Sequence, residues 1–529
     1  MKISNKYLLI ILGLALQGCS SFLEEYSQDK YHVSSYQDLD ELLIGDCYMP
    51  VEVGKHTANA MNTAHFIHFL ADELEEQNKG QSRRSVDKRK IKNAIFGYFT
   101  WQKRVGQNDT YTGYEPENRT WREFYRVINV ANNIIEDIEG VPSVTQDEQL
   151  GVKRVKGEAH FLRGIYYFWL ANLYGKPYTA ASAATDLAVP IKTEAKVNDI
   201  VYQRNTLAET YELVMNDLDI AEECLRHTGK ARSIYRADIN TVFLLKSRVH
   251  LYMQHWEKAA AYADSVLLYR PELLDMNAHN PKLGFLTKES PETLFSMGGN
   301  DVPCNLDYRY QAFRVSHSLY NLYEDDDLRK SQWWWTYSDF VGYTKIPHST
   351  KYSENRPTAS YYYQYGWYNG WLDVQSPVSD KFLFRTAEAY LNKAEAAAYM
   401  GKDDQARQAL NTLRAHRYTA GTNSVVTLSG EALVKAIRTE RQKELALEGH
   451  RWFDIRRYSV CSVYPEAKAI DHEYTYYTAY DSNIMTETRV FRLEPNDAAY
   501  VLPIPQEVIE YNTGMVNNER PDRKYTVKE

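Results

Sequence analysis

The sequence predicts a mainly α protein in which paired helical hairpins support a loop-rich, ligand-binding face. Three observations carry this. Val152, Val155, Ala159, Leu162, Tyr166, Trp169 and Leu173 recur in unbroken three-four alternation, the spacing of one helix face. The stretch Tyr252 to Ala259 matches Tyr399 to Ala406, 147 positions on, and in each copy the match joins two apolar helical runs. Between these copies, from Asn300 to Asp380, the helical periodicity fades and aromatic residues crowd together.

A chain of 529 residues suffices for one large domain or several ordinary ones. With 44% hydrophobic and 25% charged residues it has the composition of a globular protein. The net charge of −8 is mild and unclustered, which argues against a nucleic-acid binder. Tyr is abundant, at 43 residues beside 10 Trp, and its apolar ring with a polar tip suits contact with something amphipathic. Cys19, Cys47, Cys224, Cys304 and Cys461 are widely spaced with no CxxC pair, so neither a metal cluster nor a dense disulfide framework is expected.

Cys19 has its own context. Lys2 and Lys6 precede an apolar run from Tyr7 to Leu16, followed by Leu16-Gln17-Gly18-Cys19, which is a secretory signal ending in a lipobox. Residues 1–18 are therefore read as a lipoprotein signal peptide and Cys19 as the lipidated first residue of the mature chain. The run is too short to span a bilayer, and attachment would come from the acyl chains. Ser20 to Lys30 reads as a polar tether, and Tyr36 to Leu43 as a short helix.

The next helix is marked by Trp121, Phe124, Tyr125, Ile128, Ala131, Asn132, Ile135 and Ile138. In the helix after it, Phe161, Ile165 and Phe168 add a second apolar face, so it should lie between neighbours. In the repeated element, Ser247 and Ala259, like Ala394 and Ala406, are small residues twelve apart, where the helices of a tetratricopeptide-like (TPR-like) hairpin must approach closely. Glu158 to Gly175 with Leu207 to Leu225 makes a third unit.

The irregular region holds Trp333, Trp334, Trp335, Tyr363, Trp367 and Trp371 among its aromatics, and an acidic run Asp325 to Asp327 that reads as a solvated turn rather than a Ca²⁺ site. Consecutive tryptophans in a strand point to alternate faces, so Trp334 should oppose Trp333 and Trp335. Near the C-terminus, Glu431 to Arg457 reads as one long helix. Leu433, Ile437, Leu445, Trp452 and Ile455 form its apolar stripe, with Arg441, Glu444 and Glu448 inside that stripe. Carboxylates one turn apart repel, so their burial demands cationic partners and predicts an internal ion-pair network. The alternative is a kink near Gly449 that lets the charges reach water.

Arg441, Glu444, Leu445, Glu448, Gly449, His450, Arg451, Trp452, Phe453, Asp454 and Arg457 resemble the signature of the SusD/RagB family of outer-membrane nutrient-binding lipoproteins. Phe22-Leu23-Glu24, Trp121 to Ile138, Gly157 to Tyr178, and Val501 to Pro505 with Glu507, Asn512 and Asn517 resemble further elements of that family. The resemblance implies a single SusD-like domain over residues 19–529. Its parts are a helical half with TPR-like units (19–299), an aromatic ligand region (300–380), and a helical pair, signature helix and tail (381–529). It also implies a SusC-like TonB-dependent transporter as partner and an outer-membrane, cell-surface location.

Catalytic motifs of the GxSxG, P-loop, GxGxxG and HExxH kinds are absent from the sequence, and no cofactor or metal is expected. His65 and His68 lack a third ligand. Binding is the better reading. A sugar presents a face of C–H groups and a rim of hydroxyls, which suit aromatic rings and side-chain amides or carboxylates. The resemblance implies a site where an early loop meets the irregular region. The candidates are Tyr98, Trp101 and Asn108 on the early side, with Arg104 nearby, and Trp333, Trp335, Tyr363, Trp367 and Trp371 on the later side. The expected function is noncatalytic glycan capture and delivery to the transporter. The alternatives are an oligopeptide binder of the RagB kind and a glycoside hydrolase using carboxylates around Asp373 and Asp380.

Overall fold

The computed structural model describes residues 33–49, 63–77, 85–109, 117–196, 200–231, 233–281, 284–299, 302, 306, 312–337, 339–346, 378–422, 424–478 and 484–529, without the side chains of 85–91 and 337. Cys19, Tyr363, Trp367 and Trp371 lie outside the described residues. The N-terminal half begins with α1 (Tyr36–Leu42), α2 (Ser85–Phe99), α3 (Arg119–Asp137), α4 (Gln146–Tyr174), α5 (Leu207–Leu225), α6 (Ile239–Tyr252) and α7 (Trp256–Tyr269). The chain continues through the short α8 (His317–Tyr320) and α9 (Leu328–Gln332) to α10 (Thr386–Tyr399), α11 (Asp403–Ala415), α12 (Gly430–Glu444), α13 (Arg451–Ser459) and α14 (Gln506–Tyr511). The strands are β1 (Leu74–Glu76), β2 (Thr293–Ser296), β3 (Phe313–Val315), β4 (Trp334–Tyr337), β5 (Phe340–Tyr343), β6 (Leu383–Arg385), β7 (Ile470–Tyr477), β8 (Met485–Leu493) and β9 (Tyr525–Val527). They pair antiparallel as β1–β3, β2–β6, β4–β5 and β7–β8–β9.

Helix starts are chemically specified. Ser35 with Asp38, Thr145 with Glu148 and Thr206 with Glu209 form capping boxes at α1, α4 and α5, each satisfying N–H groups that the first turn leaves open. The central helix α4 is buried on both predicted faces, Phe161, Ile165 and Phe168 as well as Leu162, Tyr166 and Trp169. At Gly164 an added Cβ would already touch the Asp217 Cβ at 3.4 Å, so this glycine sets how closely α5 packs.

The two hairpins α6–α7 and α10–α11 have the predicted register. Ser247 and Ala259 touch where the helices cross, with Ser247 Oγ donating to the Ala259 carbonyl at 2.8 Å. Asn392 Nδ2 donates to that same Ser247 hydroxyl at 3.2 Å and joins one hairpin to the other. The α4–α5 pair completes the helical bed.

The long C-terminal helix is two helices. After α12 the chain turns through Leu447 (φ +57°) and Gly449 (φ +77°) before α13 begins at Arg451. The Glu444 carbonyl is taken by Lys345 Nζ at 2.6 Å and by Arg385, so it is diverted from the next helical turn. The break does not release the charges. Glu444 and Glu448 are 0% and 1% exposed. Glu444 accepts from Arg385 Nη1 at 2.6 Å, Arg329 Nη1 at 2.8 Å and Arg417 Nε at 3.0 Å. Glu448 accepts from Arg385 Nε at 2.8 Å and pairs with Lys345. Burial pushes the Glu444 carboxyl up, but the surrounding guanidiniums of Arg417, Arg385 and Arg329 hold it well below the usual carboxylate range. Arg441 belongs to an adjoining network, donating to Asp454 Oδ2 at 2.9 Å and to Asn392 Oδ1 at 2.7 Å.

Asp327, expected in a solvated turn, is buried instead. It caps α9 and is held by Arg329 at 2.8 Å and Lys443 at 2.6 Å, while Asp325 stays in water.

Candidate functional site

The early loop folds inward. Gly97 lets it do so, because a Cβ there would fall 2.2 Å from the Val105 carbonyl oxygen. Tyr98 lies flat on Phe66, with ring centroids 4.1 Å apart. Trp101 takes a left-handed φ of +52° just beyond α2, which turns its indole into the core. There it is 0% exposed, stacks on His472 at 4.4 Å, and donates from Nε1 to the Leu70 carbonyl at 3.0 Å. As placed, neither Tyr98 nor Trp101 offers a ring to a ligand, which corrects the expectation for both. Asn108 is partly exposed.

Among the tryptophans of the later region, the strict alternation fails because Trp333 ends α9 rather than beginning β4. Trp333 and Trp334 are both buried. Trp333 lies beneath Lys345 Nζ, 4.0 Å from the ring centroid, and beside Phe285, so it too is a packing residue and not a ligand platform. Trp335 is partly exposed. Its indole covers Gly342, where a Cβ would fall 2.2 Å from Nε1, and it packs against Phe340.

A rim is built from the β4–β5 hairpin, which carries Trp335 and is tied through Asp339 to Gln77 at the end of β1, and from β7, to which β1 is tied in turn. Glu76 Oε2 accepts from the Thr475 N–H at 2.6 Å, which holds the end of β1 to β7. Lys92 pairs with Glu76, donates to the Thr475 carbonyl at 2.9 Å and lies 4.1 Å from the Tyr474 ring centroid. The Tyr474 hydroxyl donates to Asp109 Oδ2 at 2.7 Å, tying the Asn108–Asp109 segment to the sheet. On the other side, Gln77 Nε2 donates to Asp339 Oδ1 at 3.2 Å, and Arg314 Nη1 donates to Asp339 Oδ2 at 2.9 Å. Burial opposes the charge on Asp339, yet the Gln77 amide and Arg314 hold its carboxyl below the usual range, leaving an ionised acceptor next to Phe340. Tyr476 and Tyr477 are partly exposed at the end of β7, and the Arg489 guanidinium lies 4.2 Å from the Tyr476 ring.

The rim thus combines partly exposed rings on Trp335, Tyr476 and Tyr477 with partly exposed carboxylates on Asp109 and Asp339, the latter held by the buried Gln77. Tyr476 and Tyr477 belong to a Tyr-rich stretch from Tyr474 to Asp481. That stretch is a strand through Tyr477, in which Tyr474 is core. Asp380 is fully buried, with Oδ1 2.9 Å from Lys381 Nζ and Oδ2 accepting from the Val302 N–H at 2.7 Å. Among the described residues no group of three or more His, Cys, Asp or Glu is arranged to hold a metal ion. Among them, too, no helix is long and apolar enough to cross a membrane.

An α-helical hairpin scaffold carrying a small mixed rim of short strands and loops defines the class. Residues 296–521 match the model described as "SusD family", and residues 53–263 match the one described as "Starch-binding associating with outer membrane". The chain belongs to the SusD-like family. A SusD-like protein of Formosa agariphila is 25% identical over 395 residues, covering 65% of this chain and 73% of the relative. A second one from that organism is 21% identical over 457 residues, covering 77% and 79%. A SusD superfamily protein from Bacteroides thetaiotaomicron superposes with a TM-score of 0.67 at 22% identity, covering 92% of this chain and all of the other (100%). The surface glycan-binding protein A of Bacteroides fluxus superposes with a TM-score of 0.60 at 18% identity, covering 91% and 98%.

Proposed function

We propose that this protein is a noncatalytic glycan-binding lipoprotein of the outer-membrane surface, anchored through Cys19. In this reading it captures oligosaccharides or polysaccharides and passes them to a SusC-like TonB-dependent transporter. The observation that carries the reading is membership of the SusD-like family over both halves of the chain, one of them matched by a family described as starch-binding and associated with the outer membrane. The rim supports it chemically. Partly exposed rings suit the C–H face of a sugar, and the partly exposed carboxylates of Asp109 and Asp339 suit its hydroxyls. Water competes for every such polar contact, so affinity per site is modest, which suits a protein that hands its ligand on. Asn108, Trp335, Tyr363, Trp367 and Trp371 are proposed as ligand contacts within a single domain of residues 19–529.

The test sets soluble polysaccharides against mixed peptides on the purified protein. Saturable retention of a glycan without release of reducing ends is the expected result. Tight peptide binding with no glycan retention would replace glycan by oligopeptide as the cargo, and release of reducing ends would make the protein a hydrolase.

A further inference from the structure

Away from the rim, where the end of α4 meets α13 and the 496–501 loop, there is a cavity of about 210 Å³. Its wall is largely apolar, built by Pro177, Ile455, Val460, Ala498 and Tyr500, and it also includes Arg456. Arg456 is 2% exposed. It donates from Nη1 to the Asn172 carbonyl and from Nη2 to the Gly175 carbonyl, capping the end of α4, while its Nε finds no acceptor among the described residues. Among the described residues no carboxylate pairs with it, unlike Arg329, Arg385, Arg417, Arg441 and Arg457, each of which has one. Burial accordingly brings this guanidinium down to about 10. The one carboxylate in the cavity lining, Asp497, is already engaged by Arg523 at 2.8 and 3.1 Å, and Lys176 and Lys468 stand in the same lining.

A buried cation without a counter-charge is costly, and a cavity with apolar walls beside it accepts a ligand that supplies the charge and fills the space. We propose that this cavity binds a small organic anion, a carboxylate carried on a compact apolar body, with Arg456 as its charge partner and the Ile455, Val460 and Tyr500 wall around the body. At about 210 Å³ the space lies below the usual range for drug-sized ligands, so the ligand is a small one. The site is separate from the aromatic rim, and the glycan reading does not enter the argument.

Calorimetry on the full-length protein in detergent tests it with 3-phenylpropionate, its neutral isostere 3-phenylpropanamide, and glucuronate. Arg456 also caps α4, so the blocking variant is Ala498→Trp, at an exposed wall position that leaves the cap untouched. The expected result is saturable binding of 3-phenylpropionate, at least about tenfold weaker binding of the amide, and loss of binding in Ala498→Trp. No saturable binding of the acid at millimolar concentration, equal binding of the amide, or binding unchanged by Ala498→Trp overturns the site. Tighter binding of glucuronate than of 3-phenylpropionate overturns the apolar body of the ligand.

Discussion

Gln254 and Gly401 occupy the same joint of two hairpins, 147 positions apart, and both are left-handed, with φ of +62° and +69°. The residues that follow them also agree, His255 at φ −90°, ψ 71° and Lys402 at φ −90°, ψ 60°. Glycine takes this conformation at little steric cost, whereas glutamine needs outside support. Gln254 has that support, donating to the Val460 carbonyl at 3.0 Å and accepting from the Ser462 N–H at 2.8 Å. Nothing crowds the Gly401 Cα, so Gly401→Ala should lose only the conformational term, about 1 kcal/mol, in urea unfolding. Gln254→Ala should lose more, because it keeps the strained backbone and forfeits both hydrogen bonds.

The Glu444 cluster predicts a larger effect. Glu444→Gln removes the charge shared by Arg329, Arg385 and Arg417 while keeping the shape, leaving the buried cluster one negative charge short although Asp327, Glu448 and Glu292 still pair with these guanidiniums. Unfolding free energy should fall by roughly 3–5 kcal/mol. A loss below about 1 kcal/mol would mean that the cluster is not held together by this carboxylate.

Gly449→Ala tests the turn between α12 and α13. The added Cβ would stand 3.0 Å from the Lys381 Cβ in a backbone with φ of +77°. Strain and crowding act together, so the variant should lose at least about 2 kcal/mol, or accumulate poorly, and wild-type stability would refute that geometry.

Glu73 predicts a pH dependence. Burial, with the Asp72 charge adding to it, pushes its carboxyl up to about 8, although the Leu447 N–H, Arg451 and Lys345 pull the other way. Between about 4.5 and about 8 the folded chain therefore holds a proton that the unfolded chain has released, and stability falls as pH rises through that window. Glu73→Gln does not titrate. Its stability relative to the parent should rise across the window and level off above it, and parallel denaturation midpoints at all pH values would contradict the assignment.

Two tryptophan variants separate packing from binding. Trp101→Ala should cost roughly 3–5 kcal/mol of stability, because the indole is fully buried and hydrogen-bonded. Trp335→Ala should lower glycan retention with a much smaller change in the unfolding midpoint. The reverse pattern would move the proposed contact away from Trp335.

Much of the fold was legible because its cause is local. The three-four spacing in α4, the repeat that includes Tyr252 and Tyr399, and the charges in the α12 stripe each announce a helix face, a hairpin or an ion network. What was not legible depends on partners distant in the chain. The break after Glu444 comes from Lys345 and Arg385 competing for a carbonyl, which the apolar stripe cannot reveal. The burial of Trp101 depends on one left-handed residue and on His472, 371 positions away. Composition could mark Trp101, Trp333 and Trp335 as aromatic candidates, but only packing separates the first two from the third.

The members of the Glu444 cluster lie at positions 292, 329, 385, 417, 444 and 448. During synthesis the hairpin α6–α7 is complete long before Glu444 exists, and the three arginines emerge with their earlier partners, Asp327 for Arg329 and Glu292 for Arg385 and Arg417, but without the carboxylate that all three share. The piece that joins Arg329, Arg385 and Arg417 through a single carboxylate is therefore among the last of the cluster to be synthesised, so the cluster closes only when the end of α12 is made.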